Sequence, residues 1–173
     1  MKTRSSRDTV YQLSGTQWIP YLYLDMGKYQ MPIEYEAWYS EDAYNKNAIN
    51  YWNIPRLEED DRYFFFTAVR QKYIQKGENE NDCKFIIYDK KAKEGFVVKD
   101  ENGMKITDDI LGGPNFWPRW STDNFYITTM EWSDLEQWTK EEKHILSPTL
   151  QEQFETWGED TNQLIVLCKK NNI

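Results

Sequence analysis

The stretch DRYFFFT at residues 61–67 recurs as DNFYITT at residues 123–129. Both copies contain an acid, a polar residue, three large apolar residues, a variable residue and threonine, and they align without a gap. A tryptophan and a Pro-Arg pair precede each copy, and they are Trp52, Pro55 and Arg56 in the first and Trp117, Pro118 and Arg119 in the second. An apolar segment, residues 85–88 or 164–168, follows each copy. We interpret this order as an internal repeat; coincidence within a small, self-contained β domain is the alternative.

The segment YFFFTAV at residues 63–69 is apolar on both faces of the predicted strand, so its sheet needs cover on both sides. Repeats of this size with several strands are typical of β-propeller blades, which pack face to face. We therefore predict a mainly β fold with about two blades of a β-propeller, each a four-stranded antiparallel sheet, and a helical insert near the C-terminus. The predicted single domain spans 1–173, with the end of one blade at 1–27, a full blade at 50–100, and a last blade at 115–170 whose helical insert is 133–158.

Two pairs of apolar segments predict hairpins. Residues 9–13 and 18–25 flank Ser14-Gly15, and residues 85–88 and 95–99 flank the charged turn 89–94. The lysines of that turn are expected to be solvated and not to form a nucleic-acid patch.

The helical insert is predicted from its capping residues. Ser133 and Glu136 have the spacing of a capping box, and Pro148 after Ser147 marks the first turn of a second helix that Gly158 ends. The residues assigned to one face of the first helix are Leu135, Trp138, Ile145 and Leu146.

Composition limits the classes of partner. The 173 residues include 21 Lys and Arg against 29 Asp and Glu, a formal net charge of -8, and 16% are aromatic. The aromatic content indicates a folded chain, and the acidic balance argues against general nucleic-acid or anionic-membrane binding, which needs clustered basic residues. We find no apolar run long enough to span a membrane, and the basic N-terminus lacks the apolar core of a signal peptide. Cys83 and Cys168 lie in apolar, strand-like segments, which favours buried free thiols over a disulfide.

The block GGPNFWP at residues 112–118 carries a family resemblance. Preceded by Asp108-Asp109-Ile110 and followed by an aromatic strand, a helical insert and a Leu-Ile-Val strand, it resembles the C-terminal end of six-bladed β-propeller proteins of Bacteroides-type bacteria. Residues 8–11, 23–29 and 85–91 are similar to preceding blades of that family.

This resemblance implies an exported protein of unknown function, in the periplasm or at the cell surface, and about twice this length. The present sequence departs from the family by lacking a signal and the earlier blades. Open sheet edges are therefore expected. Either the chain self-associates to cover them, for example as a symmetric ring, or it is an unstable remnant of a longer gene.

Chemistry-bearing residues are sparse, and we predict no catalytic residue, no metal site and no cofactor. His144 lies in a charged helical segment and is expected at the surface. The acidic run at residues 58–61 lacks the spacing of a calcium loop, which favours a solvated turn. Asp108 or Asp109 with Glu131 could form the acid pair of a glycoside hydrolase, although solvated carboxylates are the simpler interpretation.

The predicted ligand surface combines the tryptophans and arginines of the repeat. Its residues are Trp52, Arg56, Asn115, Trp117 and Arg119, on the innermost strands near a central channel. A flat ring beside a planar guanidinium suits sugars or acidic peptides; in the alternative, the tryptophans pack between blades and the arginines bind backbone carbonyls or acids.

The sequence thus favours a binding or scaffold module of an exported bacterial protein, with a glycan or peptide ligand. The alternative is a fragment of a carbohydrate-active enzyme, a glycoside hydrolase or lyase, with acids such as Asp109 and Glu131 on the channel face.

Overall fold

Three small antiparallel sheets and two short helices make up the fold in the computed structural model. The structure describes residues 9–32, 50–70, 83–99, 106–140, 145–158 and 162–170. The chain divides into two compact units, one of Met1–Leu57 with Phe66–Ile86 and the other of Glu58–Phe65 with Ile87–Ile173. His144 lies outside the described residues.

The strands pair in simple order along the chain. They are β1 (Thr9–Ser14), β2 (Gln17–Tyr23), β3 (Trp52–Glu59), β4 (Tyr63–Arg70), β5 (Cys83–Asp89), β6 (Glu94–Val97), β7 (Trp120–Ser121), β8 (Phe125–Met130) and β9 (Leu164–Lys169). The sheets have the orders β1-β2, β3-β4-β5-β6 and β7-β8-β9. The helices are α1 (Trp132–Thr139) and α2 (Pro148–Thr156). The mainly β prediction is confirmed, whereas no closed propeller is formed by the described residues and the number of blades stays a prediction.

The hairpin of β1 and β2 is confirmed. Gly15 lies between the strands with a φ of +60°, a backbone conformation that glycine adopts at little cost. Leu13 pairs with Trp18 beside this turn, and Val10 is fully buried further along β1.

Strand β4 is covered on both faces, as its sequence predicted. The consecutive residues Phe64, Phe65 and Phe66 are all buried, and so is Ala68. Because neighbouring side chains in a strand point to opposite faces, three buried neighbours mean that both faces are packed.

The helical insert differs from its prediction at the start of α1. Glu131 is the N-cap, and its capping box is with Asp134, so the predicted box of Ser133 and Glu136 is wrong. A carboxylate accepts the amide hydrogen bond as well as a hydroxyl does and is favoured at a helix N-terminus, which explains the earlier start.

The predicted first helix is also too long. It ends at Thr139, and Ile145 is exposed, whereas Leu146 is buried with Leu135 and Leu150 in a small core. The second helix is confirmed, because the Ser147 hydroxyl accepts from the Leu150 amide and Pro148 is the first helical residue.

The repeat is visible in backbone geometry, because β4 and β8 start at equivalent residues after matching turns. In the first turn the Asp60 amide donates to the Tyr63 carbonyl at 3.0 Å, and in the second the Thr122 amide donates to Phe125 at 2.9 Å. Each turn residue also accepts the returning amide on its side chain, Asp60 at 2.6 Å and Thr122 at 3.0 Å. An acid and a threonine therefore perform the same task, each directly before its copy of the repeated stretch.

Both cysteines are free, as expected, but each is half-buried and not fully buried. Burial raises the pKa of the Cys168 thiol, and the Asp108 carboxylate adds to this, so the reactive thiolate is disfavoured.

In the described ranges, α1 has 8 residues and α2 has 9, and no helix is long and apolar enough to cross a membrane.

Candidate functional site

A lysine follows β5 in the first repeat and β9 in the second, and the two lysines form the same set of contacts. The Lys90 amide donates to the Arg62 carbonyl, and the Lys170 amide donates to Asn124, both at 2.8 Å. The Lys90 Nζ lies 4.9 Å from the centroid of the Phe64 ring, and the Lys170 Nζ lies 4.6 Å from that of Tyr126. We call these contacts the lysine anchors.

The ammonium groups of the anchors also have equivalent hydrogen-bond partners. Lys90 Nζ donates to Glu59 at 2.9 Å, and Lys170 Nζ donates to the Ser121 hydroxyl at 2.8 Å. Glu59 and Ser121 hold the same place in the aligned repeat. In each repeat the anchor holds the end of β5 or β9 to the turn that precedes β4 or β8. Lys90 is therefore engaged, which corrects the prediction of a solvated lysine turn, although Lys91 and Lys93 are exposed.

Asp60 connects the four-stranded sheet to the three-stranded sheet. Its carboxylate accepts from the Tyr126 hydroxyl at 2.5 Å and from the Arg62 amide at 2.8 Å, and the Lys170 Nζ lies 3.2 Å away. The Asp60 side chain is only 8% exposed, so the prediction of a solvated acidic turn is wrong at this residue. A buried carboxylate persists here because several donors replace water.

The electrostatics of Asp60 and Tyr126 follow from this contact. Burial raises the pKa of Asp60, but the hydrogen bonds from Tyr126, from the Tyr63 and Arg62 amides and from Lys170 outweigh burial, so the pKa lies below its usual value. Burial and the adjacent carboxylate both raise the pKa of Tyr126. The pair therefore stays as carboxylate and neutral phenol at neutral pH.

Arg62 and Asp89 form a second ion pair at the same end of the sheet. The Arg62 Nε and Nη2 atoms each lie 3.0 Å from the same carboxylate oxygen of Asp89. Hydrogen bonding from the Ala92 amide lowers the pKa of Asp89, burial opposes this, and Arg62 lowers it further. The charged groups around residues 59–62 thus stabilise the structure.

Trp117, a predicted ligand residue, is part of the packing between the two sheets. Its ring meets Phe65 edge-on with centroids 5.7 Å apart, and Phe65 meets Tyr126 edge-on at 5.1 Å. Trp117 is 5% exposed and Phe65 is 3% exposed. Asn115, which precedes Trp117 in the same loop, is half-buried. Trp117 is therefore closed to a ligand, and Asn115 is accessible only in part.

Arg119 and Trp120 are accessible. Arg119 is exposed, and its Nη1 donates to the Thr129 hydroxyl at 3.0 Å. Trp120, which was not among the predicted ligand residues, exposes half of its surface and follows Arg119 in the chain. The only sequence signal for it is its place directly after the Pro-Arg pair, at the start of a short strand.

The predicted ligand residues of the first repeat, Trp52 and Arg56, lie in the first compact unit. Trp52 opens β3 and is half-buried, with the Arg70 guanidinium carbon 5.6 Å from its ring centroid. Arg56 lies in the same strand and is exposed. Asn115, Trp117 and Arg119 belong to the second unit.

The Asp108 carboxylate stabilises the loop that leads into the Gly-Gly-Pro block. The Asp108 carboxylate accepts from the amides of Ile110, Leu111 and Gly113 at 2.9 to 3.2 Å. The Gly112 carbonyl accepts from Trp138 Nε1 of α1 at 2.9 Å. The loop that leads to Trp117 is therefore joined to α1 of the helical insert.

The carboxylates of the alternative enzyme hypothesis are largely engaged in structure. Asp108 holds the loop, and Glu131 caps α1 and also accepts from the Gln163 amide. Asp109 is exposed. Within the described ranges, no group of three or more His, Cys, Asp or Glu side chains is arranged to hold a metal ion.

Comparison with known proteins gives a family and a fold. The sequence profile of a domain of unknown function (DUF4934) matches residues 3–169. No curated protein matches the chain. A crystal structure of a "putative exported protein" from Bacteroides fragilis is similar, with a TM-score of 0.57 and 13% identity. The similarity covers 98% of this chain and 46% of that one, so the chain spans less than half the length of the B. fragilis protein.

Proposed function

The chain belongs to the DUF4934 family, and from that premise we propose that it is a non-enzymatic binding or scaffold module of an exported bacterial protein. The main support is the pair of lysine anchors. Lys90 and Lys170 make matching contacts in the two repeats, and these contacts hold strand ends to turns, which is a structural task. Export is supported by the name of the B. fragilis protein, and it favours the periplasm or the cell surface.

The proposed architecture is part of a six-bladed β-propeller. The four strands of the β3–β6 sheet are the number in one blade, and the contact of Phe65 with Trp117 and Tyr126 is the face-to-face packing expected between blades. The equivalent anchors support a repeated unit. The β1–β2 hairpin would then be the end of a preceding blade.

The proposed ligand is a glycan or an acidic peptide. Arg56 and Arg119 are exposed, and a guanidinium binds carboxylates through paired hydrogen bonds. In the first unit, Arg56 would be the main contact and the half-buried Trp52 would add a partly accessible ring. In the second unit, Arg119 would be the main contact, the half-buried Asn115 would be partly accessible and the buried Trp117 would support the loop. Each unit thus keeps its part of the sequence-based ligand set, with an arginine as the main contact.

Calorimetric titration with a hexaglutamate peptide and with a uronic-acid oligosaccharide tests this proposal. Arg119→Ala should weaken binding about tenfold or more, since a hydrogen bond to a charged group is worth roughly 1.5–3 kcal/mol. Lys91→Ala is the matched control, because it removes an exposed positive charge from another turn and should leave the affinity unchanged. Equal losses in the two variants would show that binding follows net charge alone.

The second candidate function is a fragment of a carbohydrate-active enzyme. The supporting observation is Asp109, a carboxylate that is exposed and follows the loop acid Asp108 in the sequence. Glycan cleavage by the chain that disappears in Asp109→Asn would favour the enzyme, whereas binding without cleavage favours the module.

A further inference from the structure

The three-stranded sheet has an open apolar face. Trp120 pairs with Ile127, Ile127 pairs with Leu167, and Ile165 is the next residue of β9 on the same side as Leu167, so the four side chains share one side of the sheet. Trp120 is 51% exposed, Leu167 56% and Ile165 68%. We call these four residues the outer face. A contiguous exposed apolar patch of this kind marks an interaction surface on a soluble protein.

The repeat shows what covers the matching face of the four-stranded sheet. In the alignment of the two copies, Ile127 of the outer face corresponds to Phe65. Phe65 is buried beneath Trp117 and Tyr126, which belong to the next repeat. In the part of the chain that the structure describes, β9 is the last strand, and Ile127 is half-buried beside the exposed Trp120 and Leu167, whereas Phe65 is buried. The packing order of the repeat therefore calls for one more sheet on this face.

A second apolar surface of the chain is available to fill that place. In the β1–β2 hairpin, Leu13 pairs with Trp18, and the two are 54% and 50% exposed. The Phe64 side of the four-stranded sheet is not available, because Phe64 is buried.

We propose that the outer face binds the β1–β2 hairpin of a second copy of this chain. The contact is head-to-tail, so two copies that close on each other form it twice. It places a sheet on the Ile127 side of β8, as the second repeat does on the Phe65 side of β4. The inference is independent of the proposed ligand, because assembly needs neither Arg56 nor any added molecule.

Sedimentation velocity on the full 173-residue chain tests the contact, with the dimer as the expected species. Leu167→Glu on the outer face and Trp18→Glu on the hairpin should each raise the dissociation constant about 30-fold or more, as central apolar interface residues do. Ile145→Glu is the matched control, because it places the same acid at an exposed residue outside both surfaces and should leave the dimer intact. A chain that stays monomeric at high concentration, or a dimer that survives Leu167→Glu, would overturn the proposal.

Mixing the two variants separates the hairpin from other occupants. Leu167→Glu keeps an intact hairpin and Trp18→Glu keeps an intact outer face, so an equimolar mixture should form a heterodimer through one unaltered contact. A dimer that joins outer face to outer face would not be restored by mixing, and this result would reject the hairpin as the occupant. Circular dichroism on each variant, with Trp120→Glu as a second outer-face variant, shows that the altered chains are folded.

Discussion

Asp60 is the residue at which the two sheets meet. Its carboxylate accepts from the Tyr126 hydroxyl of β8 and lies close to Lys170 after β9, while its own backbone closes the turn before β4. Removing one donor from a buried carboxylate is costly, because no water takes its place.

Tyr126→Phe should therefore destabilise the fold without changing its shape. We expect the free energy of unfolding to fall by about 1–3 kcal/mol, the cost of an unmet hydrogen bond to a buried group. Urea denaturation measures it, and Tyr29→Phe, at an exposed tyrosine outside the network, is the control that should change little. Equal effects in the two variants would mean that the Asp60 contact contributes nothing.

Asp60 should also make stability depend on pH. Because its pKa is lower in the folded chain than its ordinary value near 3.8, it stabilises the fold above that value and loses this contribution as the pH falls through the folded pKa. Asp60→Asn should be less stable at pH 7 and should lose less stability than wild type on acidification below pH 4. Denaturation curves at several pH values measure this, and parallel pH profiles would contradict the assignment.

Among the structural elements, the loop before Trp117 depends on one glycine. Gly112 has a φ of +70°, and a Cβ there would lie 2.1 Å from the Ile145 carbonyl oxygen. Gly15 has a similar φ of +60° but no heavy atom within 4 Å of its Cβ position. The two glycines therefore separate backbone strain from a steric clash.

Gly112→Ala should destabilise the chain more than Gly15→Ala. Both variants carry the left-handed strain of about 1–2 kcal/mol, whereas only Gly112→Ala must also move the segment that leads into α2. Thermal unfolding compares them, with a lower midpoint expected for Gly112→Ala. Equal midpoints would show that the loop yields freely.

Apolar patterning and capping residues predicted several elements, although not the bounds of α1, and they did not predict the contacts between elements. The strand at 63–69, the first hairpin and the Ser147-Pro148 helix start all follow from local sequence. The burial of Asp60 does not, since its partners Tyr126 and Lys170 belong to the second repeat, far along the chain. The same limit applies to Trp117, whose aromatic character fits either a ligand surface or the packing against Phe65. The lysines at 90 and 170 are a usable signal in the sequence, because each follows the apolar strand that comes after its copy of the repeated stretch.

At the scale of the whole molecule, the chain repeats one unit. In each copy the side chain of a turn residue accepts a hydrogen bond from the first amide of the next strand, and a lysine bonds the end of a later strand to that turn. This unit explains the high aromatic content, because Phe64 and Tyr126 support the lysines while Phe65 fills the space between sheets. The unit serves architecture, which supports the proposed binding or scaffold role.

Incubation of the chain with the uronic-acid oligosaccharide, followed by calorimetry and by chromatography of the recovered glycan, tests the proposed role most directly. We predict saturable binding that Arg119→Ala weakens and Lys91→Ala does not, with the oligosaccharide recovered at full length. Shortened oligosaccharide from the wild-type chain, and intact oligosaccharide from Asp109→Asn, would contradict a non-enzymatic module.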